Sequence, residues 1–282
     1  MILIYTNIAA LNAYGNYSNN VSLFQKSLLR ISTGLRINSA SDDPSGFAIA
    51  DKLRTQASSI KQGIQNANSA VALIQIADKA MSEQSRILDT VKSKLIQAKT
   101  DTTSTQGKEA IRKDINKLLT QLDNIASQTN YNSITLLQKN FTDDTPSDSL
   151  KFHVGENFEN TISTNGNIQA NTAGLDIDSL KNIAYLNSTN TGVWMEKVDN
   201  ALNSLNLFRS DFGSTQNQLE SSVRYMTSMH TNLKKSESVI RDVDYAKEVA
   251  TLSTLRVLMI AGMYAMTQAN KVQESMLKLL FK

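Results

Sequence analysis

From Trp194 to Ile240 the chain places apolar or small side chains at alternating steps of four and three residues: Trp194, Val198, Ala201, Leu205, Phe208, Phe212, Thr215, Leu219, Ser222, Met226, Met229, Leu233, Ser236 and Ile240. That spacing keeps one stripe of a helix apolar, as in a coiled-coil seam. One unbroken helix over this span predicts a rod of about 70 Å at ~1.5 Å per residue, too long for one element of a compact globule. Only two prolines occur, Pro44 and Pro146, so long stretches lack the commonest helix breaker.

Weaker seams precede and follow. Val21, Phe24, Leu28, Ile31 and Leu35 share one helical face near the N-terminus. Ser41-Asp42-Asp43-Pro44 restarts the helix: a carboxylate can cap an orphan N–H while Pro44 stands where no donor is needed. A second run carries Leu53, Ala57, Ile60, Ile64, Ala67, Val71 and Ile74, slips phase near Ala77, and resumes at Met81, Leu88, Val91, Leu95 and Ala98. The slip predicts a local overwinding. After a polar break from Thr102 to Gly107, a shorter helix with Ile111, Ile115, Leu118, Leu122 and Ile125 is expected to return antiparallel on the second. From Asn130 to about Asn190 periodicity fails. Leu150, Phe152 and Val154 alternate there with polar residues, and Gly155, Asn165-Gly166 and Gly174 supply turns, which reads as short strands and loops.

The expectation is a mostly α fold, an elongated antiparallel helical rod of coiled-coil-like packing with a small β-hairpin and loop region in its middle. The rod is assigned to residues 44–240 with an irregular or β insert at about 130–192, and helical segments 1–43 and 241–282 are expected to pack together at one end. Two terminal helices alone leave much apolar surface in water, which a monomer rarely tolerates. Leu11, Val21, Phe24, Leu28, Ile31, Leu35, Leu252, Leu255, Leu258, Met263, Met266, Met276, Leu277 and Leu280 are therefore the candidate residues for packing between copies.

Residue types bound the chemistry. Cysteine is absent, which removes thiolate metal sites and cysteine nucleophiles. His153 and His230 stand in no metal-ligand spacing, and no glycine pattern of a phosphate-binding loop occurs. Of three carboxylate pairs, Asp42/Asp43 has a capping role, Asp143/Asp144 falls in a polar loop and Asp242/Asp244 separates helices. No catalytic residue, cofactor or metal is expected. The net charge of +3 is spread along the chain, which gives no support to nucleic-acid binding. Val257 to Met266 is apolar but falls short of the roughly 20 residues that span a bilayer, so no membrane insertion is expected. The start carries no basic residue before Lys26, unlike a secretory signal, so the chain either stays inside or leaves by another route.

Two sets of motifs carry a family resemblance. Thr6-Asn7-Ile8-Ala9-Ala10-Leu11-Asn12, with Leu28 to Ala50 including Ser41-Asp42-Asp43-Pro44, resembles the N-terminal signature of bacterial flagellins. Arg209 to Leu219, Ser238 to Glu248, Gln268-Ala269-Asn270-Lys271-Val272-Gln273 and Leu277 to Leu280 resemble that family's last third in order and spacing. The resemblance covers roughly residues 1–140 and 193–282; the short middle marks a minimal form without large outer domains. It implies a structural subunit that self-assembles as a homopolymer into the extracellular flagellar filament for swimming motility, its terminal segments lining the inner tube. It also implies passage through the flagellum's export apparatus, an export chaperone, a filament cap and hook-junction proteins as partners.

The nearest rival reading is a hook–filament junction protein, which shares similar helical termini and a comparable Ser-Asp-Asp-Pro element. The Gln268-Ala269-Asn270 ending and the Ile240–Glu248 block favour flagellin. A cytoplasmic coiled-coil scaffold accounts for the heptads but not for both matching ends. One departure bears on recognition. Flagellins bound by the vertebrate innate receptor show a pattern like L-Q-R-x-R-E-L, where this chain has Thr90 for an arginine, Ser93 for a glutamate and Lys94 for an apolar residue. Weak or absent recognition is expected, with Asp114 keeping one acidic contact. Flagellins of the campylobacter and helicobacter group differ in this region too, and Tyr264-Ala265-Met266 is similar to theirs.

Overall fold

The computed structural model describes residues 6–139 and 145–280, without the side chains of Ser188, Thr189, Leu279 and Leu280. Asp143, Asp144 and the Leu280 side chain, named above, lie outside the described residues. Among those described, the order is α1 (Ile8–Thr33), α2 (Pro44–Lys99), α3 (Thr105–Gln128), β1 (Asn130–Tyr131), β2 (Ile134–Thr135), β3 (Lys151–His153), β4 (Thr161–Ser163), α4 (Ser188–Arg241) and α5 (Tyr245–Leu280). The mostly helical fold with small antiparallel strand pairs is the one expected. The chain divides into two compact units, residues 1–57 with 231–282, and residues 58–230.

In the terminal unit the helices start and stop on local chemistry. The Asn7 side chain accepts from the Ala10 N–H at the head of α1, and Gly34, at φ 74°, ends it in the left-handed conformation. Asp43 Oδ1 accepts from Gly46 N–H ahead of Pro44, the cap expected for α2. Asp244 Oδ1 accepts from the Ala246 and Lys247 N–H groups and caps α5. The α1 and α5 helices run antiparallel: Asn7 Nδ2 donates to Ala269 O at 3.1 Å, and Tyr245 Oη donates to Ile31 O at 2.9 Å.

In the other unit, Lys92 pairs with Asp199 and Asp78 with Arg209, so α4 lies antiparallel to α2. Lys94 pairs with Asp114 at 3.0 Å, which sets the antiparallel return of α3 on α2. The slip expected near Ala77 is not there. Ala67, Ala70, Ile74, Ala77, Met81, Gln84, Leu88, Val91, Leu95 and Ala98 are all buried at regular steps of three and four. The stripe runs through Ala70, where Val71 was expected, and a polar residue, Gln84, holds a core place in it. Its Nε2 donates to Leu122 O at 3.2 Å and to Ala170 O at 2.7 Å, which makes its burial tolerable. In α3 the buried stripe is Ile111, Ile115, Leu119, Leu122 and Ala126; Leu118 and Ile125 of the expected stripe are half-buried beside it. Along α4 the expected seam is buried at Val198, Ala201, Leu205, Phe212, Thr215, Leu219 and Met226.

The middle segment forms two hairpins. Asn132 and Ser133, both with positive φ, make the tight turn between β1 and β2. Strands β3 and β4 pair with Phe152 opposite Ile162. Val154 N–H closes on Asn160 O, and Asn66 Nδ2 donates to His153 O. Gly63 of α2 makes room for this hairpin, since a Cβ there would stand 3.2 Å from the Val154 backbone carbon and from Met226 Sδ. The irregular chain beyond it is core: Ile168, Ala170, Leu175, Ile177, Leu180 and Leu186 are buried. Asp123 anchors this stretch to α3 by accepting from Thr172 N–H and Oγ1 and pairing with Lys181. We expect Gln84→Met, similar in volume, to take its donor from Ala170 O and lower stability by about 1–3 kcal/mol in a denaturant melt; an unchanged midpoint would show that this carbonyl finds another donor.

Candidate assembly surface

The facing stripes of α1 and α5 mix small or polar side chains with large apolar ones. On α1 the more covered positions are Ala10, Ala13, Tyr17, Asn20, Phe24, Ser27 and Ile31; on α5 they are Glu248, Leu252, Leu255, Met259, Gly262, Met266 and Ala269. Gly262 lets the helices approach, with Tyr17 Cβ 3.4 Å from where its own Cβ would be. Arg30 and Glu248 face each other at 3.8 Å.

The two connections beside these helices form a crossed clasp. Leu35 and Asp242 pair in antiparallel fashion, Val243 N–H donates to Gly34 O at 3.0 Å, and Arg36 N–H donates to Arg241 O at 2.6 Å. The two arginines then reach across it. Arg36 donates from its guanidinium to Ile240 O, and Arg241 Nε donates to Ile37 O while its guanidinium stands 5.8 Å over the Phe47 ring.

The shared face covers only part of the apolar side chains, and the rest remain in water. Of the expected packing residues, Val21, Phe24, Ile31, Leu35, Leu252, Leu255 and Met266 are at least half covered within the chain. Leu11, Leu28, Leu258, Met263, Met276 and Leu277 are exposed. Ile8, Tyr14, Leu23, Leu29, Val249, Val257, Ile260, Tyr264 and Val272, which periodicity alone did not single out, extend the same exposed apolar surface. Helix α5 is apolar enough over Tyr245–Lys278 to cross a membrane by length and composition, yet only 6% of its most apolar window is buried. Exposed apolar area of this extent marks an interaction site.

Residues 4–142 match the bacterial flagellin N-terminal helical region, and residues 195–280 the bacterial flagellin C-terminal helical region. Flagellin of Bacillus subtilis (strain 168) is 33% identical, covering 97% of this chain and 98% of its own length. The chain belongs to the flagellin family. The flagellar filament 33 kDa core protein of Treponema phagedenis is 30% identical, covering 99% of this chain and 100% of its own. A structure from Vibrio parahaemolyticus described as a flagellar hook-associated protein shares the fold, at a TM-score of 0.61 and 13% identity over 71% of this chain and 99% of its own. The chain is thus a structural subunit of the flagellar filament.

In this flagellin the motifs that carried the resemblance meet in space. Asn7 of the first motif donates to both Ala269 O and Asn270 Oδ1 of the Gln268-Ala269-Asn270 ending. The Ser41-Asp42-Asp43-Pro44 carboxylates are spent on backbone donors: Asp43 caps α2, and Asp42 Oδ2 accepts from the Asn38 and Ser39 N–H groups at 3.2 Å each. Thr90 and Ser93 are exposed, and the Thr90 hydroxyl donates back to Arg86 O. Asp114 pairs with Lys94, because the antiparallel return of α3 puts the two side by side.

Asp42 is the titrating group of the clasp region. Burial opposes its ionisation, but the N–H groups of Asn38 and Ser39, the Ser39 hydroxyl and the Lys26 ammonium outweigh it and hold the carboxyl below its usual range. A depressed folded-state value means a stabilising contribution that is complete above the unfolded value of about 3.9 and is lost as pH falls through the lowered one. The Asn38 and Ser39 amide NMR shifts should therefore hold steady down to about pH 4 and move only below it; in Asp42→Asn that acid transition should vanish, and its persistence would assign it to another group.

Proposed function

We propose that this flagellin polymerises by burying the exposed apolar faces of α1 and α5 against other copies of itself, so that the terminal unit is completed only in the filament. The observation that carries this reading is that the pairing of the two helices leaves Leu11, Leu28, Leu258, Met263, Met276 and Leu277 outward. Each such side chain contributes roughly 1.5–3 kcal/mol when fully buried. The same family membership supports, as our inference, secretion through the flagellar export apparatus to an extracellular filament, and contact with an export chaperone, a filament cap and hook-junction proteins. We also infer closeness to the campylobacter and helicobacter flagellins from Tyr264-Ala265-Met266 and the region around Thr90.

Electron microscopy under polymerising conditions tests the assembly reading. Long tubes from the full chain are expected; short assemblies would favour a junction role instead. Deleting residues 274–282 removes Met276, Leu277, Leu279 and Leu280, and should abolish tubes while circular dichroism still reports helical structure in the remainder. Tubes from the truncated chain would count against packing through α5.

The receptor-facing departures give a separate expectation. Thr90 offers one hydroxyl, already donating to its own helix, where the family pattern offers an arginine's donors, and Lys94 brings a charge where that pattern is apolar. A receptor built for the family pattern would lose several kcal/mol, about a thousandfold in affinity. Weak or absent signalling by the monomer is expected in a receptor-reporter assay. The combined Thr90→Arg, Ser93→Glu and Lys94→Leu variant should raise it; potent activation by the unaltered chain would refute the expectation.

A further inference from the structure

We propose that the tip of the β3–β4 hairpin is a second contact between copies of this flagellin, in which Phe158 of one copy enters a cleft at the base of the same hairpin on the next. The proposal rests on the filament reading and adds to it a contact outside the terminal helices.

Phe158 stands 93% exposed between β3 and β4. The tip that presents it is held firmly. Val154 is buried and its N–H closes on Asn160 O, Asn160 N–H donates to Asn157 O, and the hairpin backbone rests against α2 at Gly63. A rigidly presented aromatic side chain loses little entropy on binding. Glu156 and Glu159 flank the ring, are exposed, and make no ion pair among the described residues. The seat for this tip must therefore be apolar within and basic at its rim.

Such a seat exists where the hairpin begins. A cleft of about 180 Å³ is lined by Ile134, Leu150, Thr135, Ser133, Lys139 and Ser147, together with Asp148. It is smaller than the roughly 300 Å³ and above of small-molecule sites but has room for one side chain. Ile134 is half exposed in it. Lys139 is bound only loosely, at 3.9 Å from an exposed Asp148, and neighbouring Lys151 is exposed and makes no ion pair among the described residues. Two carboxylates on the tip thus meet two ammonium groups at the seat.

The arrangement also selects the kind of contact. A larger cleft of about 580 Å³ lies beside the tip itself, floored by Ile60, Met226 and Met229, but Glu156 and Glu159 form its wall. Two tips exchanged symmetrically there would set carboxylate against carboxylate, a like-charge cost that opposes a closed pair. Knob and seat at opposite ends of one hairpin, at most about 28 Å of extended chain apart, give a head-to-tail contact, the class of interface that builds rings or open filaments. That is the geometry a filament requires.

The chain has no cysteine, so paired cysteines report the contact directly. Filaments assembled from the Phe158→Cys, Ile134→Cys double variant and mildly oxidised should run as a ladder of linked multimers on a non-reducing gel, while either single variant gives no ladder. Filaments of the double variant that yield only monomer, or only an internally linked monomer, would overturn the proposal and leave the filament reading standing. No filament from the unaltered chain would overturn the filament reading and this one with it. Should the double variant fold without assembling, elongation rates decide: Glu159→Lys should slow growth about threefold or more, and Glu159→Lys with Lys151→Glu should recover it. A double variant as slow as the single one would overturn the contact.

Discussion

Antiparallel pairing of long helices along stripes spaced by three and four residues is the constraint on which everything else in this flagellin rests. A helix of 56 residues such as α2 gains little from propensity alone and holds its form because a continuous stripe is covered by partners. The stripe runs from Ala67 to Ala98 without a break because small residues alternate with large ones and because Gln84 brings its own hydrogen bonds into the core. Ion pairs such as Arg209–Asp78 lie at the edges of the seam, partly in water, where they set register more than they add stability.

The two units use the same helical grammar to opposite ends. In residues 58–230 the apolar stripes of α2, α3 and α4 close on each other and on the irregular segment after β4, so the side chains of the stripes are covered. In the terminal unit α1 and α5 cover one stripe each, and Leu11, Tyr14, Leu28, Val257, Leu258, Met263 and Tyr264 stay outward. A protein acting alone would bear a solubility cost for this. A filament subunit converts it into the free energy of assembly, and the crossed arginines of the clasp hold the two connections together without using any of that apolar surface.

Much of this was legible from residue order. Seam positions in α4 were read correctly because burial on one face leaves a period that survives small polar exceptions such as Thr215. Caps at Asp43 and the restart at Pro44 were legible because their chemistry is local. Gln84 was not recognised as a core residue, since whether a polar side chain is buried depends on carbonyls that lie 38 and 86 residues away. For the same reason Lys94 was not seen to occupy Asp114, and Ile168 to Leu186 were not recognised as core: that stretch is covered by helices distant in sequence and has no period of its own.

The order of helices, their antiparallel sense and the family itself were determined by the sequence, because periodicity, caps and motifs are written within a few turns of chain. Which face of α1 meets α5 was decided only by the tertiary structure. Leu28 and Phe24 look equally suited to a seam from their spacing, yet Phe24 turns inward and Leu28 outward. Gly262 lets the helices come close at Tyr17, and this choice of face leaves Leu28 and other apolar side chains at the surface.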